Sequence, residues 1–216
     1  MENGSEDRYF CERNAEYHTG GKMKGKEIVF ENVSVNFGDK QVLKNLNLTI
    51  KQGELIGIMG ASGIGKTTFV KLLLGLIKPS SGKIYGLENI KFSAVFQEDR
   101  LCENFDAIAN VKMVLSSDVT TEEVEKEFAK VYLTDYKGKA VGKLSGGMKR
   151  RVAMVRAVMA QSDVIILDEP LKGLDEALKE MVLSYLKESL AGRTMILVTH
   201  DKAEVEALHA KLLFFK

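Results

Sequence analysis

The chain has 216 residues, 31 Lys and Arg against 30 Asp and Glu, a formal net charge of +1 and 45% hydrophobic residues. That balance suits one compact globular domain and gives no electrostatic ground for nucleic acid as the main partner. Two cysteines, Cys11 and Cys102, are too few for a disulfide scaffold or a zinc site, and no apolar run approaches the ~20 residues of a membrane-spanning helix.

In chain order, residues 1–26 read as a polar, glycine-bearing tail with no apolar stretch of a signal peptide, and Met23 is an alternative beginning. Cys11 and His18 within it are isolated and fall short of a metal site. From Glu27 the pattern changes. Ile28–Phe37, rich in β-branched and aromatic residues, predicts a strand, and Leu46, Leu48 and Ile50 alternate with polar residues as in a half-buried strand. Leu55–Met59 is a short apolar run ending at glycine, the pattern of a buried strand. A helix is expected over 69–77, stopping before Pro79, then strands near Ile84 and over 93–96. The stretch 97–161 reads mainly as helix. Thr120 and Glu123 form a capping box, Val124, Phe128 and Val131 share one helical face, and a further helix covers 147–159. Strands at 164–167, 195–199 and 212–215 alternate with amphipathic helices at 176–190 and 202–210. Such alternation predicts an α/β core with a largely parallel sheet, into which the helical block is inserted.

Three motifs carry chemistry. Gly60, Ala61, Ser62, Gly63, Ile64, Gly65, Lys66 and Thr67 fit G-x-x-x-x-G-K-[ST] between a predicted strand and a predicted helix, and Thr68 follows. Glycines let backbone N–H groups wrap phosphate oxygens, and the helix brings its positive end to the same point. Lys66 then bridges the β- and γ-phosphates and Thr67 ligates Mg²⁺. Asp168 and Glu169 end an apolar strand, at the edge where α/β sheets bind ligands. They suit a water-mediated Mg²⁺ ligand and a general base, although a helix-capping acid pair would look alike in isolation. His200 ends another core strand, on what should be the same edge. It is placed to contact the γ-phosphate and orient water, where a lone histidine would otherwise be structural.

Leu144, Ser145, Gly146, Gly147 and Met148, followed by Lys149, Arg150 and Arg151, sit between the phosphate loop and the acidic strand. Ser145 suits an N-cap, and open N–H groups at a helix start form an anion site, a second one in a domain that already has a phosphate loop. This stretch closely resembles the LSGGQ signature of ABC ATPases, and the resemblance covers 27–216. It implies a RecA-like P-loop NTPase core (27–97 and 162–216) with a mostly parallel sheet, an N-terminal antiparallel β segment and an inserted α-helical subdomain (98–161). It also implies that two copies, or the chain and a homologous ATPase, pair head to tail, each signature facing the other's ATP. Phe37 sits where an aromatic ring stacks on adenine, usually a tyrosine; a core phenylalanine is the other reading. Gln97 matches the Q-loop that touches Mg²⁺, and Asp175 the D-loop at the dimer seam. Lys172 and Gly173 depart from the usual D-loop residues, and Met148 replaces the signature glutamine.

What the resemblance implies for function is an ATPase subunit on the cytoplasmic face of a cell membrane. It would dock on transmembrane permease subunits through 97–110, with a solute-binding protein as a further partner through the permease, and no nucleic acid is expected. The stretches V-F-Q-E-D-R-L and E-P-L-K-G-L-D look like those of nitrate, sulfonate and taurine importers. The alternative is an ABC ATPase free of the membrane. Repair types need a long coiled coil between phosphate loop and signature, for which no heptad run exists here. Translation types usually join two such domains, and this chain holds one.

Overall fold

The computed structural model describes residues 27–190 and 192–215. The expectations for the 1–26 tail, Met23, Cys11 and His18 lie outside the described residues. Strand β1 (Ile28–Phe37) pairs antiparallel with β2 (Lys40–Ile50) on one side. On its other side it pairs antiparallel with β4 (Ser81–Tyr85), giving a three-stranded sheet in the order β2-β1-β4. Every pairing in the second sheet is parallel, in the order β5 (Phe92–Val95), β6 (Val164–Asp168), β7 (Thr194–Val198), β3 (Leu55–Met59) and β8 (Lys211–Phe214).

The central strands read as continuous apolar runs because both faces are covered. Successive residues point to opposite faces, so Val164 and Ile166 of β6 enter one buried cluster while Ile165 and Leu167 enter the other. The first cluster joins the parallel sheet to the antiparallel sheet and to α1 (Lys66–Leu73) through Phe30, Val33, Phe69 and Leu72. The second joins its other face to α4 (Gly146–Met159), α5 (Glu176–Ser189) and α6 (Lys202–Ala207) through Val152, Val155, Val182, Leu186 and Val205. At Gly57 of β3 the contact is so close that a Cβ would lie 2.7 Å from Val205 Cγ1.

The expected helix over 69–77 instead starts at Lys66 and ends at Leu73, with Gly75 at φ 65° just beyond it. A left-handed glycine past the last turn is a common helix stop. The 97–161 stretch is less helical than its composition suggests. It contains α2 (Ala107–Lys112), α3 (Thr121–Lys130), a short 3₁₀ turn at Val141–Lys143, and α4. Three capping side chains restart the helix: Asp106, Thr120 and Ser145 accept from the amides of Ala109, Glu123 and Met148. The Thr120–Glu123 capping box is complete, with Glu123 accepting from the Thr120 amide at 2.7 Å. Val124, Phe128 and Val131 are all fully buried, as the helical face predicts. Arg151 of α4 donates to the carbonyls of Val131 and Tyr132, tying the end of α3 to the signature helix.

Candidate functional site

Four motif segments leave the parallel sheet at the carboxyl ends of its strands. Gly60 follows β3, Gln97 follows β5, Glu169 follows β6 and His200 follows β7. Because the strands are parallel and adjacent, all four emerge on one edge. The edge opens into a cavity of about 780 Å³ lined by Ser62, Lys66, Thr67, Gln97, Glu169 and His200, with Gly63, Gly65, Thr68 and Asp168 also in its wall. Gly60, Ala61 and Ile64 complete the loop behind it.

Gly65 shows why the loop needs glycine. It sits at φ 112°, and a Cβ there would lie 2.7 Å from Leu43 Cδ2 and 3.0 Å from the Val42 carbonyl. Any other residue would be strained and would push the loop off β2. The Lys66 ammonium lies across this loop, donating to the carbonyls of Gly60 at 2.7 Å and Ala61 at 3.0 Å. Lys66 also begins α1, so cation, open N–H groups and helix end face the same space.

At the acidic edge, Glu169 is held at φ 51°, in the left-handed region, while its amide still donates to Val198 at 2.8 Å. A non-glycine residue kept there costs of order 1–3 kcal/mol, a strain that clusters at functional sites. Here it turns the chain so that Glu169 Oε1 lies 3.3 Å from His200 Nε2. That oxygen is buried and carries no other partner. Asp168 is only 8% exposed. Burial and then the neighbouring Glu169 raise its carboxyl above the ordinary range, against the opposing pull of Arg150, Lys66 and His200.

A carboxyl whose folded pKa is raised costs the protein stability above that pKa and stops costing it as pH falls through it. Asp168→Asn is therefore expected to raise the Tm of the nucleotide-free protein by a few degrees at neutral pH, with the gain shrinking as pH drops. The same variant is expected to lose metal-dependent turnover. Calorimetry across pH checks the first part; a lower Tm for the variant at neutral pH would contradict it.

Thr67, Gln97 and Asp168 offer hydroxyl, amide and carboxylate oxygens, hard donors that suit Mg²⁺. Two adjacent carboxylates in a half-dry site also favour a divalent cation, which offsets their repulsion. Among the described residues no group of three or more His, Cys, Asp and Glu could hold a metal alone. A cation here would draw its remaining oxygens from phosphates and water.

Other predicted residues stand apart from the cavity. Phe37 is 53% exposed, so it is not a core phenylalanine and its ring face is free to stack. Leu144, Ser145, Gly146, Gly147 and Met148 form the start of α4, and Asp175 caps α5 by accepting from the Leu178 amide at 2.9 Å. None of these six lines the cavity. Sequence reasoning missed Val42, Thr199, Lys179 and Glu204 in the cavity wall. No motif marks them; only the strand order and the packing of α5 and α6 bring them there.

A family model described as ABC transporter matches residues 43–172. The chain is 35% identical over 206 residues to the spermidine/putrescine import ATP-binding protein of Fusobacterium nucleatum, covering 88% of this chain and 55% of that one. It is also 35% identical over 209 residues to the aliphatic sulfonates import ATP-binding protein of Rhodopseudomonas palustris, covering 92% and 74% respectively. The chain belongs to the ABC transporter ATP-binding family. It spans about half the length of the polyamine-import relative. Among solved structures it superposes on the dimeric ABC transporter cassette MJ0796 with TM-score 0.77 and 27% identity, covering 88% of this chain and 94% of that one. A post-hydrolysis form of that cassette, bound to ADP and Pi, matches with TM-score 0.76. The α/β fold with a parallel core sheet is thus that of an ABC cassette.

Proposed function

We propose that this chain hydrolyses MgATP to power an ABC importer, as a head-to-tail dimer held by permease subunits at the inner face of the membrane. One observation carries the reading. The phosphate loop, the acidic pair, Gln97 and His200 meet in a single cavity, with Glu169 and His200 3.3 Å apart. Residues 27–97 and 162–216 act as the nucleotide-binding core, and 98–161 as the arm that carries the signature.

The chemistry follows from the positions. Backbone N–H groups of residues 61–68 cradle the phosphates. The Lys66 ammonium, held across the loop by the Gly60 and Ala61 carbonyls, meets the β- and γ-phosphate oxygens. Thr67, Gln97 and, through water, Asp168 would hold Mg²⁺, which when bound would supply charge neutralisation to the phosphates. Glu169 takes the proton of the attacking water, and His200 fixes the carboxylate and the γ-phosphate in line. Phe37 stacks on adenine. Ser145, Gly146 and Gly147 of a second copy close the site from outside, and loss of the γ-phosphate removes those contacts and loosens the pair.

Phe105, Met113 and Val114 are large apolar side chains left exposed on the helical segment, a surface suited to a permease loop. Among the described residues no helix is long and apolar enough to cross a membrane. Relatives named for spermidine/putrescine and for sulfonates match at the same 35% identity, so cargo choice is assigned to the permease rather than to this chain.

Phosphate release by the purified chain tests the reading. Turnover is expected with MgATP, abolished by chelator and by Lys66→Ala; a wild type no faster than Lys66→Ala would overturn it. Phe37→Ala is expected to weaken ATP binding about 5–10-fold through loss of stacking, with Tm nearly unchanged because the ring is exposed. Fluorescent-nucleotide titration measures it.

A further inference from the structure

The link between Gln97 and the signature helix runs through one side chain outside the motifs. Arg150 lies one turn into α4, three residues after Gly147, and is only 6% exposed. Its guanidinium donates to the Phe96 carbonyl at 2.5 Å and to the Gln97 carbonyl at 2.7 Å. It also pairs with Asp99 at 3.1 Å. Arg156, two turns further along the same helix, donates to the carbonyls of Asp99 and Arg100 at 3.1 and 2.9 Å. The Arg100 guanidinium folds back over the Phe96 ring at 4.1 Å. The segment from Phe96 to Arg100 has no strand partner beyond Val95, and Arg100 sits at φ 46°. Its polar anchoring is to α4, while the Phe96 ring packs against the cluster on the opposite face of the sheet.

We propose that Arg150 is a positioning residue for Gln97, so that the placement of the Gln97 amide in the nucleotide cavity is set by the position of the signature helix. The physical basis is a fork. Two charge-assisted bonds to consecutive carbonyls fix both position and orientation of the peptide, which a single bond would leave free to turn. The ion pair with Asp99 closes the third corner. Movement of α4, when its N-terminus engages or leaves a nucleotide, is carried to Gln97 over these three contacts. The backbone ladder of the sheet ends at Val95, so from Phe96 on the carbonyls of the segment are held by Arg150 and Arg156 of α4. The inference rests on the proposed function for its consequence on turnover, and on geometry alone for its consequence on the segment.

Two readouts on the full chain test it. The first is hydrogen exchange of the peptide covering 96–101 in nucleotide-free, metal-free protein. Arg150→Met is expected to speed exchange there by ~10-fold or more, the loss of charged hydrogen bonds, while the buried strands β6 and β7 keep their protection. The second is turnover against Mg²⁺ concentration. Arg150→Met is expected to raise the Mg²⁺ needed for half-maximal rate several-fold and to leave ATP binding in chelator unchanged. Combined with Gln97→Ala it is expected to add no further loss, because both act through the same amide. Arg150→Lys, which keeps one donor, should fall between wild type and Arg150→Met, and serves in its place if Arg150→Met does not fold. Unchanged exchange at 96–101 in whichever of these variants folds, or independent multiplying losses in the double variant, would overturn the positioning role. Faster exchange at 96–101 in Arg150→Met, together with no MgATP turnover by the wild type, would instead remove the proposed function and leave the anchoring of this segment standing.

Discussion

Replacing Glu169 by Gln is expected to lower ATP turnover by about 10²–10⁴-fold, the usual worth of a positioned general base, while ATP binding stays close to wild type. The side chain keeps its size, so the left-handed turn at φ 51° and the bond from the Glu169 amide to Val198 are untouched. What is lost is the carboxylate oxygen 3.3 Å from His200. That oxygen is buried and has no partner besides His200. Removing its charge beside Asp168 also relieves the repulsion that raises the Asp168 carboxyl, so nucleotide-free stability should not fall. Single-turnover kinetics with bound MgATP measures the step directly. Equal single-turnover rates for both proteins would remove Glu169 from the role of base.

A second large effect separates the two halves of the site. Lys66→Ala removes the cation from the phosphate loop. Gly146→Arg blocks the N-terminus of α4, where a Cβ meets nothing within 4 Å and the new side chain projects into open space. Neither change should disturb the chain that carries it. Each variant alone is expected to lose at least about 10²-fold in turnover, from lost transition-state charge stabilisation. In a head-to-tail dimer, each site takes its phosphate loop from one copy and its signature from the other. An equal mixture of the two variants therefore contains mixed dimers with one intact site. Random pairing makes about half of all dimers mixed, so turnover should recover to about a quarter of wild type per chain. A mixture no faster than the two variants apart would mean that the signature serves its own chain.

Much of the fold and site was legible because their signals are local. The phosphate loop, the apolar run into Asp168 and Glu169, and Ser145 ahead of two glycines each combine a strand or helix boundary with the residue types that boundary requires. The capping box of Thr120 and Glu123 was readable for the same reason. The extent of helix between 97 and 161 was not, because apolar residues continue through the turns between α2, α3 and α4 to feed one core, as Leu133, Tyr136 and Val141 do. The part of the cavity wall formed by Lys179 and Glu204 depends on α5 and α6 packing beside the sheet edge, which no local pattern encodes. Arg150 was equally silent. In sequence it is one of three consecutive basic residues, Lys149, Arg150 and Arg151, and only tertiary contact shows that Arg150 and Arg151 are buried and which carbonyls each one holds.

Sedimentation of the Glu169→Gln protein with ATP and Mg²⁺, against the same protein with ADP, tests the central claim most directly. Twice the monomer mass is expected with ATP, and the monomer mass with ADP. A monomer in both states, at protein concentrations where the wild type hydrolyses ATP, would contradict an ATP-held dimer as the working form.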